Sequence, residues 1–170
     1  MINRTRTYIA GDWTGDQDLI AKLYEWNERD DLKLHFIDAH DLTQSSDSSL
    51  NCSIKDSLGM RLDASKTFVL VVGDKTKSLR AGSCSCCRYY SYSSGCGKGW
   101  PTSLKSYIEY ECDKAVRDGL KIVVIYNSAH VFKDRCPDAV VNIGTHIAGY
   151  SWDNGCKRWN YTAIKNSIMD

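Results

Sequence analysis

The 170-residue sequence lacks a charge excess: 22 Lys and Arg stand against 21 Asp and Glu, a net charge of +1. That balance argues against nucleic acid or an anionic membrane as the main partner, because both are held largely by a surplus of basic groups. Long apolar runs are missing too. The cleanest, residues 68–72, falls far below the ~20 residues of a membrane-spanning helix. The start, Met1-Ile2-Asn3-Arg4-Thr5-Arg6, has no apolar stretch of the signal-peptide kind. No internal repeat is found. What is there is ordinary for a globular chain, 42% hydrophobic and 25% charged. A single domain over residues 1–170, soluble and cytoplasmic, is the expectation.

Eight cysteines complicate that expectation. Cys84, Cys86, Cys87 and Cys96 crowd together, while Cys52, Cys112, Cys136 and Cys156 are scattered. In a reducing compartment such a cluster binds a metal or stays reduced rather than forming a disulfide framework. Its spacing does not give two well-separated pairs, so structural zinc and free or transiently oxidised thiols both stay open.

Strand and helix patterns alternate along the chain. Strands are expected over about residues 5–10, 32–38, 67–73 and 121–126, with a weaker one at 144–150. Helical spacing marks residues 16–27, 52–62, 104–118 and 161–168. Residues 38–51 are polar and read as a loop. Residues 74–103, rich in cysteine, tyrosine and glycine, break the rhythm and read as an inserted irregular segment. Alternation of this kind, with two apolar central strands, predicts an α/β fold whose parallel sheet is covered by helices on both sides. Ligands then bind beyond the C-terminal strand ends. Gly11, Asp12 and Trp13, Asp38 to Asp41, and Gly73 to Lys75 fall there, although helix capping and turn chemistry explain any single Asp equally well.

One carboxylate stands out. On a helical wheel for residues 104–118, Leu104 projects at about 0°, Ala115 at about 20°, Ile108 at about 40° and Cys112 at about 80°, which defines a buried sector. Glu111 projects at about 340°, on the margin of that sector, whereas Glu109 and Asp113 face away. A charge there is costly unless it is paired, to Lys114 for instance, or faces a cleft.

Three blocks carry a resemblance. They are Phe36-Ile37-Asp38-Ala39-His40-Asp41-Leu42 with the serine-rich stretch after it, residues 61–76, and Ser106-Tyr107-Ile108-Glu109-Tyr110-Glu111-Cys112-Asp113-Lys114-Ala115 continuing through residues 119–126. Together with residues 5–18 they resemble the bacterial TIR-like proteins grouped with Thoeris ThsB, and residues 128–170 match more loosely. The resemblance implies a TIR, flavodoxin-like three-layer fold with a five-stranded parallel sheet. It implies cleavage of the nicotinamide–ribose bond of NAD, with the ADP-ribose product cyclised or otherwise converted into a signal for a partner effector during phage infection. NAD is then a substrate, and no cofactor is required. Self-assembly on activation is a further expectation.

The family's catalytic glutamate lies in a W/Y-x-x-Y/W-E pattern, which here is Tyr107-Ile108-Glu109-Tyr110-Glu111, so the resemblance gives Glu111 that role. Gly11, Asp12, Trp13, Asp38, His40, Asp41, Gly73 and Tyr107 would line the dinucleotide, with Trp13 stacking on a ring or packing on its own loop. The chain departs from many relatives in its insertion, about residues 78–103, which holds the candidate zinc ligands Cys84, Cys86, Cys87 and Cys96 and is expected to cap the cleft. A non-catalytic TIR scaffold that signals by assembly, and a nucleoside hydrolase of similar topology, are the competing classes.

Overall fold

The computed structural model describes residues 6–34, 36 and 50–170. In chain order its elements are β1 (Arg6–Ala10), α1 (Gln17–Glu28), α2 (Asn51–Asp63), β2 (Ser65–Val72), β3 (Tyr90–Ser91), β4 (Gly95–Cys96), α3 (Tyr107–Arg117), β5 (Lys121–Tyr126), β6 (Thr145–Ala148), β7 (Tyr150–Asp153), β8 (Cys156–Trp159) and α4 (Tyr161–Met169). The main sheet has the order β1-β2-β5-β6, and every neighbour pair is parallel.

The two apolar runs become its centre. Val69 pairs with Ile9 on one side and Val123 on the other, and both strands are buried almost throughout. Alternate side chains then serve opposite layers. Tyr8, Phe68, Leu70, Ile122 and Val124 pack with Leu58 and Leu62 of α2 and with Ile108, Cys112 and Ala115 of α3. Ile9, Val69, Val71, Val123 and Ile125 pack with Leu19, Ile20 and Leu23 of α1 and Ile164 and Ile168 of α4. A parallel sheet covered on both faces is the outcome, as the apolar strands require.

The expected five-stranded sheet is described as four strands. Residues 35, 37 and 38 of the strand expected at 32–38 lie outside the described residues, as do residues 38–49 of the loop expected at 38–51; residues 32–34 and 36 carry no ladder. Leu34 and Phe36 are nevertheless buried in the apolar cluster that holds Ile9 and Leu23. The strand expected at 144–150 is β6, and it stops at Ala148 because Tyr150 opens an antiparallel hairpin with β8.

The helix expected over 104–118 is shorter. It begins at Tyr107 behind a capping box: the Glu109 N–H donates to Ser106 Oγ (3.2 Å), and the Ser106 N–H donates to Glu109 Oε2 (2.7 Å). Leu104 is therefore outside the helix and 57% exposed, so it takes no part in the buried sector. Between β2 and α3 the inserted segment is built of two short 3-10 turns, Thr76–Ser78 and Cys84–Cys86, and the ribbon of β3 and β4. No helix among the described residues is long and apolar enough to cross a membrane.

Candidate active site

Glu111 is 4% exposed, further inside than the wheel margin suggested. Its helix neighbours Ile108, Cys112 and Ala115 are buried with it. The carboxylate is not spent on Lys114, which pairs instead with Asp63 (2.6 Å) and Asp118 (2.7 Å). Tyr8 of β1 donates its hydroxyl hydrogen to Glu111 Oε1. Sequence reasoning missed Tyr8, although its place in β1 carried a signal: the strand alternates, and Tyr8 belongs to the face that receives α2 and α3. Phe68 stacks on the Tyr8 ring at 5.9 Å and fixes where the hydroxyl points.

Beside this pair lies a cavity of about 230 Å³. Gly11, Asp12 and Trp13 line it from the turn after β1, and Tyr107, Ile108 and Glu111 line it from the first turns of α3. Ile54 and Leu58 of α2, with Leu79 and Ala81 of the insertion, supply an apolar wall. A charge against such a wall acts more strongly than one in water, because less solvent screens it.

Tyr107 is held on three sides. Its N–H donates to the Ala81 carbonyl (2.8 Å), and its hydroxyl donates to Asn51 Oδ1 (3.0 Å). Its ring lies over Gly82, whose φ of +91° suits glycine, and a Cβ there would sit 2.5 Å from Tyr107 Cδ1. Burial pushes the Tyr107 hydroxyl above its ordinary pKa, so it remains a donor. Trp13 is 43% exposed; it packs on Tyr24 of α1 at 5.9 Å while still lining the cavity.

The other expected residues divide. Asp38, His40 and Asp41 lie outside the described residues. Gly73 does not line this cavity. It follows β2 directly, and the space a side chain would need is filled by the Asp16 carboxylate. Asp16 itself is 4% exposed, accepts from Asn127 Nδ2 (3.1 Å) and is pushed above the ordinary carboxylate pKa, first by burial and further by Asp12, Asp18 and Asp74.

The expected capping role also shifts. Leu79 and Ala81 reach the Glu111 cavity, whereas Cys84 lines a different one. All eight cysteines are free thiols, and among the described residues no three Cys, His, Asp or Glu side chains gather closely enough to hold a metal ion.

Residues 8–81 match the family model of the TIR-like domain of the Thoeris protein ThsB, the family that the sequence resembles. The match takes in β1, α1, α2, β2 and the first residues of the insertion; Tyr107 and Glu111 lie beyond it. No curated protein matches the chain.

Proposed function

We propose that this TIR-like chain cleaves the nicotinamide–ribose bond of NAD with Glu111 as the catalytic carboxylate, within an anti-phage defence system of the Thoeris kind. The observation that carries the reading is a buried glutamate lining a cavity beyond the C-terminal end of β1, beside Gly11, Asp12, Trp13 and Tyr107. The family match supports the defence context.

Losing nicotinamide leaves an oxocarbenium-like ribose, as in glycoside cleavage generally. An ionised carboxylate is acceptor-only, with room for several donors, so Glu111 can take ribose hydroxyls in addition to the Tyr8 hydroxyl. Held against Ile54, Leu58 and Leu79, it stabilises positive charge as that charge develops on the sugar. Nicotinamide departs as a neutral molecule, so no second acid has to protonate it. A volume of about 230 Å³ lies below the roughly 300–1,000 Å³ of sites that enclose a drug-sized ligand. It suits the ring-and-ribose end of a dinucleotide, with the rest extending past Asp12 and Trp13.

The ADP-ribosyl oxocarbenium left on the enzyme is then attacked at its anomeric carbon by water or by one of its own hydroxyls, whose proton passes to solvent, and the product is the signal that an effector reads. The test is chromatography of NAD incubated with the full chain, with and without extract of phage-infected cells. Equimolar nicotinamide and an ADP-ribose derivative are expected. Intact NAD under both conditions would replace this reading with that of a scaffold signalling by assembly.

A further inference from the structure

A second cavity, of about 260 Å³, lies between α2 and the insertion. Lys55, Cys52 and Asp56 of α2 line it together with Cys84, Trp100 and Tyr110. Gly82 also borders it, and the Tyr107 ring, which lines the first cavity, lies over Gly82.

Lys55 is the unusual group here. It is 6% exposed, and its ammonium donates to Ser103 Oγ (3.1 Å) and to the Lys105 carbonyl (2.6 Å). No Asp or Glu among the described residues comes within ion-pairing distance of it. An ammonium has three donors, so two neutral acceptors leave one N–H without an acceptor and the charge without a direct ion pair. Burying a charge in that state is costly, and buried charges are normally paired. Burial accordingly holds the Lys55 pKa below its ordinary value, outweighing the opposite pull of Cys84, Glu109 and Cys52.

The rest of the lining selects what completes the pair. Trp100, Pro101 and Tyr110 offer flat apolar surface. An apolar cavity of about 150 Å³ accommodates benzene, so about 260 Å³ holds one ring with a small substituent and not a dinucleotide. Asp56, exposed at the rim, opposes a second negative charge. We propose that this cavity is a binding site for a small molecule made of one flat ring bearing a single carboxylate, whose anion pairs with Lys55 and whose ring lies against Trp100. The proposal is independent of the role of Glu111.

Benzoate is the probe, with benzyl alcohol as its uncharged counterpart, each titrated calorimetrically into the full chain. Benzoate is expected to bind with a Kd of about 1 mM or tighter, and benzyl alcohol at least about tenfold more weakly, since a desolvated charge pair is lost. Lys55→Met should reduce benzoate to the level of benzyl alcohol. The position of the site is read separately on the unmodified protein by mass spectrometry of thiol alkylation. At ten times its Kd, benzoate should slow the labelling of Cys52 about tenfold by mass action and leave exposed Cys156 unchanged. Benzyl alcohol binding as tightly as benzoate, full binding by Lys55→Met, or unprotected Cys52 would each overturn the site. The protection experiment stands even if the variant fails to fold.

Discussion

Two carboxylates at the C-terminal edge of the sheet are buried to the same degree and are put to different use. Glu111 and Asp16 are each 4% exposed. Glu111 takes a hydrogen bond from Tyr8 and lines a cavity. Asp16 fills the space beside Gly73, takes one from Asn127 and ties the turn after β1 to the end of β5. Asn127 also reaches Asp18 (2.8 Å), which pairs with Lys157 (2.9 Å), so this region knits four segments together. Burial alone does not mark a candidate for chemistry; open space beside the group is what a substrate would need. Asp16 has lost its space to packing, and Glu111 has kept it.

The largest expected effect lies on the Glu111 side. Glu111→Gln keeps the size and still accepts from Tyr8, but removes the charge, so turnover of NAD should fall by on the order of 10²-fold or more while NAD binding persists. Retained turnover would make Glu111 a buried structural group like Asp16.

Next comes the packing at Asp16. Gly73→Ala places a methyl on the Asp16 carboxylate, and the backbone or the carboxylate must give way. A loss of about 1–3 kcal/mol in chemical denaturation is expected, as for other overpacked sites. An unchanged midpoint would show that this region is loose.

The third prediction concerns pH. Asp16 has a raised folded-state pKa, so its contribution to stability is fully present below the unfolded value near 3.8 and is lost as the pH rises through the folded value. Asp16→Asn keeps an acceptor for Asn127 without the charge. It should flatten this part of the stability curve above about pH 4 and leave the protein at least as stable at neutral pH. A steeper loss toward neutral pH would contradict the sign.

The smallest effect is expected at Glu109. Glu109→Gln preserves the capping box, which accepts either residue, so stability should stay within about 0.5 kcal/mol and turnover should be unchanged.

Much of this contrast was legible in the residues, and what was not has physical causes. The strands at 67–72 and 121–126 announced themselves because a sheet buried on both faces needs uninterrupted apolar runs. Glu111 was visible as a charge beside an apolar stripe, yet the wheel was anchored on Leu104, which the Ser106 cap leaves outside the helix. Its depth and its Tyr8 partner depend on a contact across 103 positions, which no local pattern encodes. Asp16 went unread, because its burial follows from the ends of β2 and β5 arriving beside it, at Gly73 and Asn127. The hairpin of β7 and β8 went unread although Asn154-Gly155, both at positive φ, is the dipeptide that a tight hairpin turn favours. In the cysteine cluster, metal binding and free thiols both fitted the spacing, and neither reading pointed to the cavity that Cys84 lines with Lys55 and Trp100, which only the fold sets up.

The central claim meets its most direct test in a side-by-side rate measurement: nicotinamide released from NAD by the triggered parent, by Glu111→Gln and by Asp16→Asn, each confirmed folded. The account predicts release by the parent, release by Asp16→Asn within a few-fold of it, and a drop of on the order of 10²-fold or more for Glu111→Gln alone. Equal rates for Glu111→Gln and the parent would contradict it.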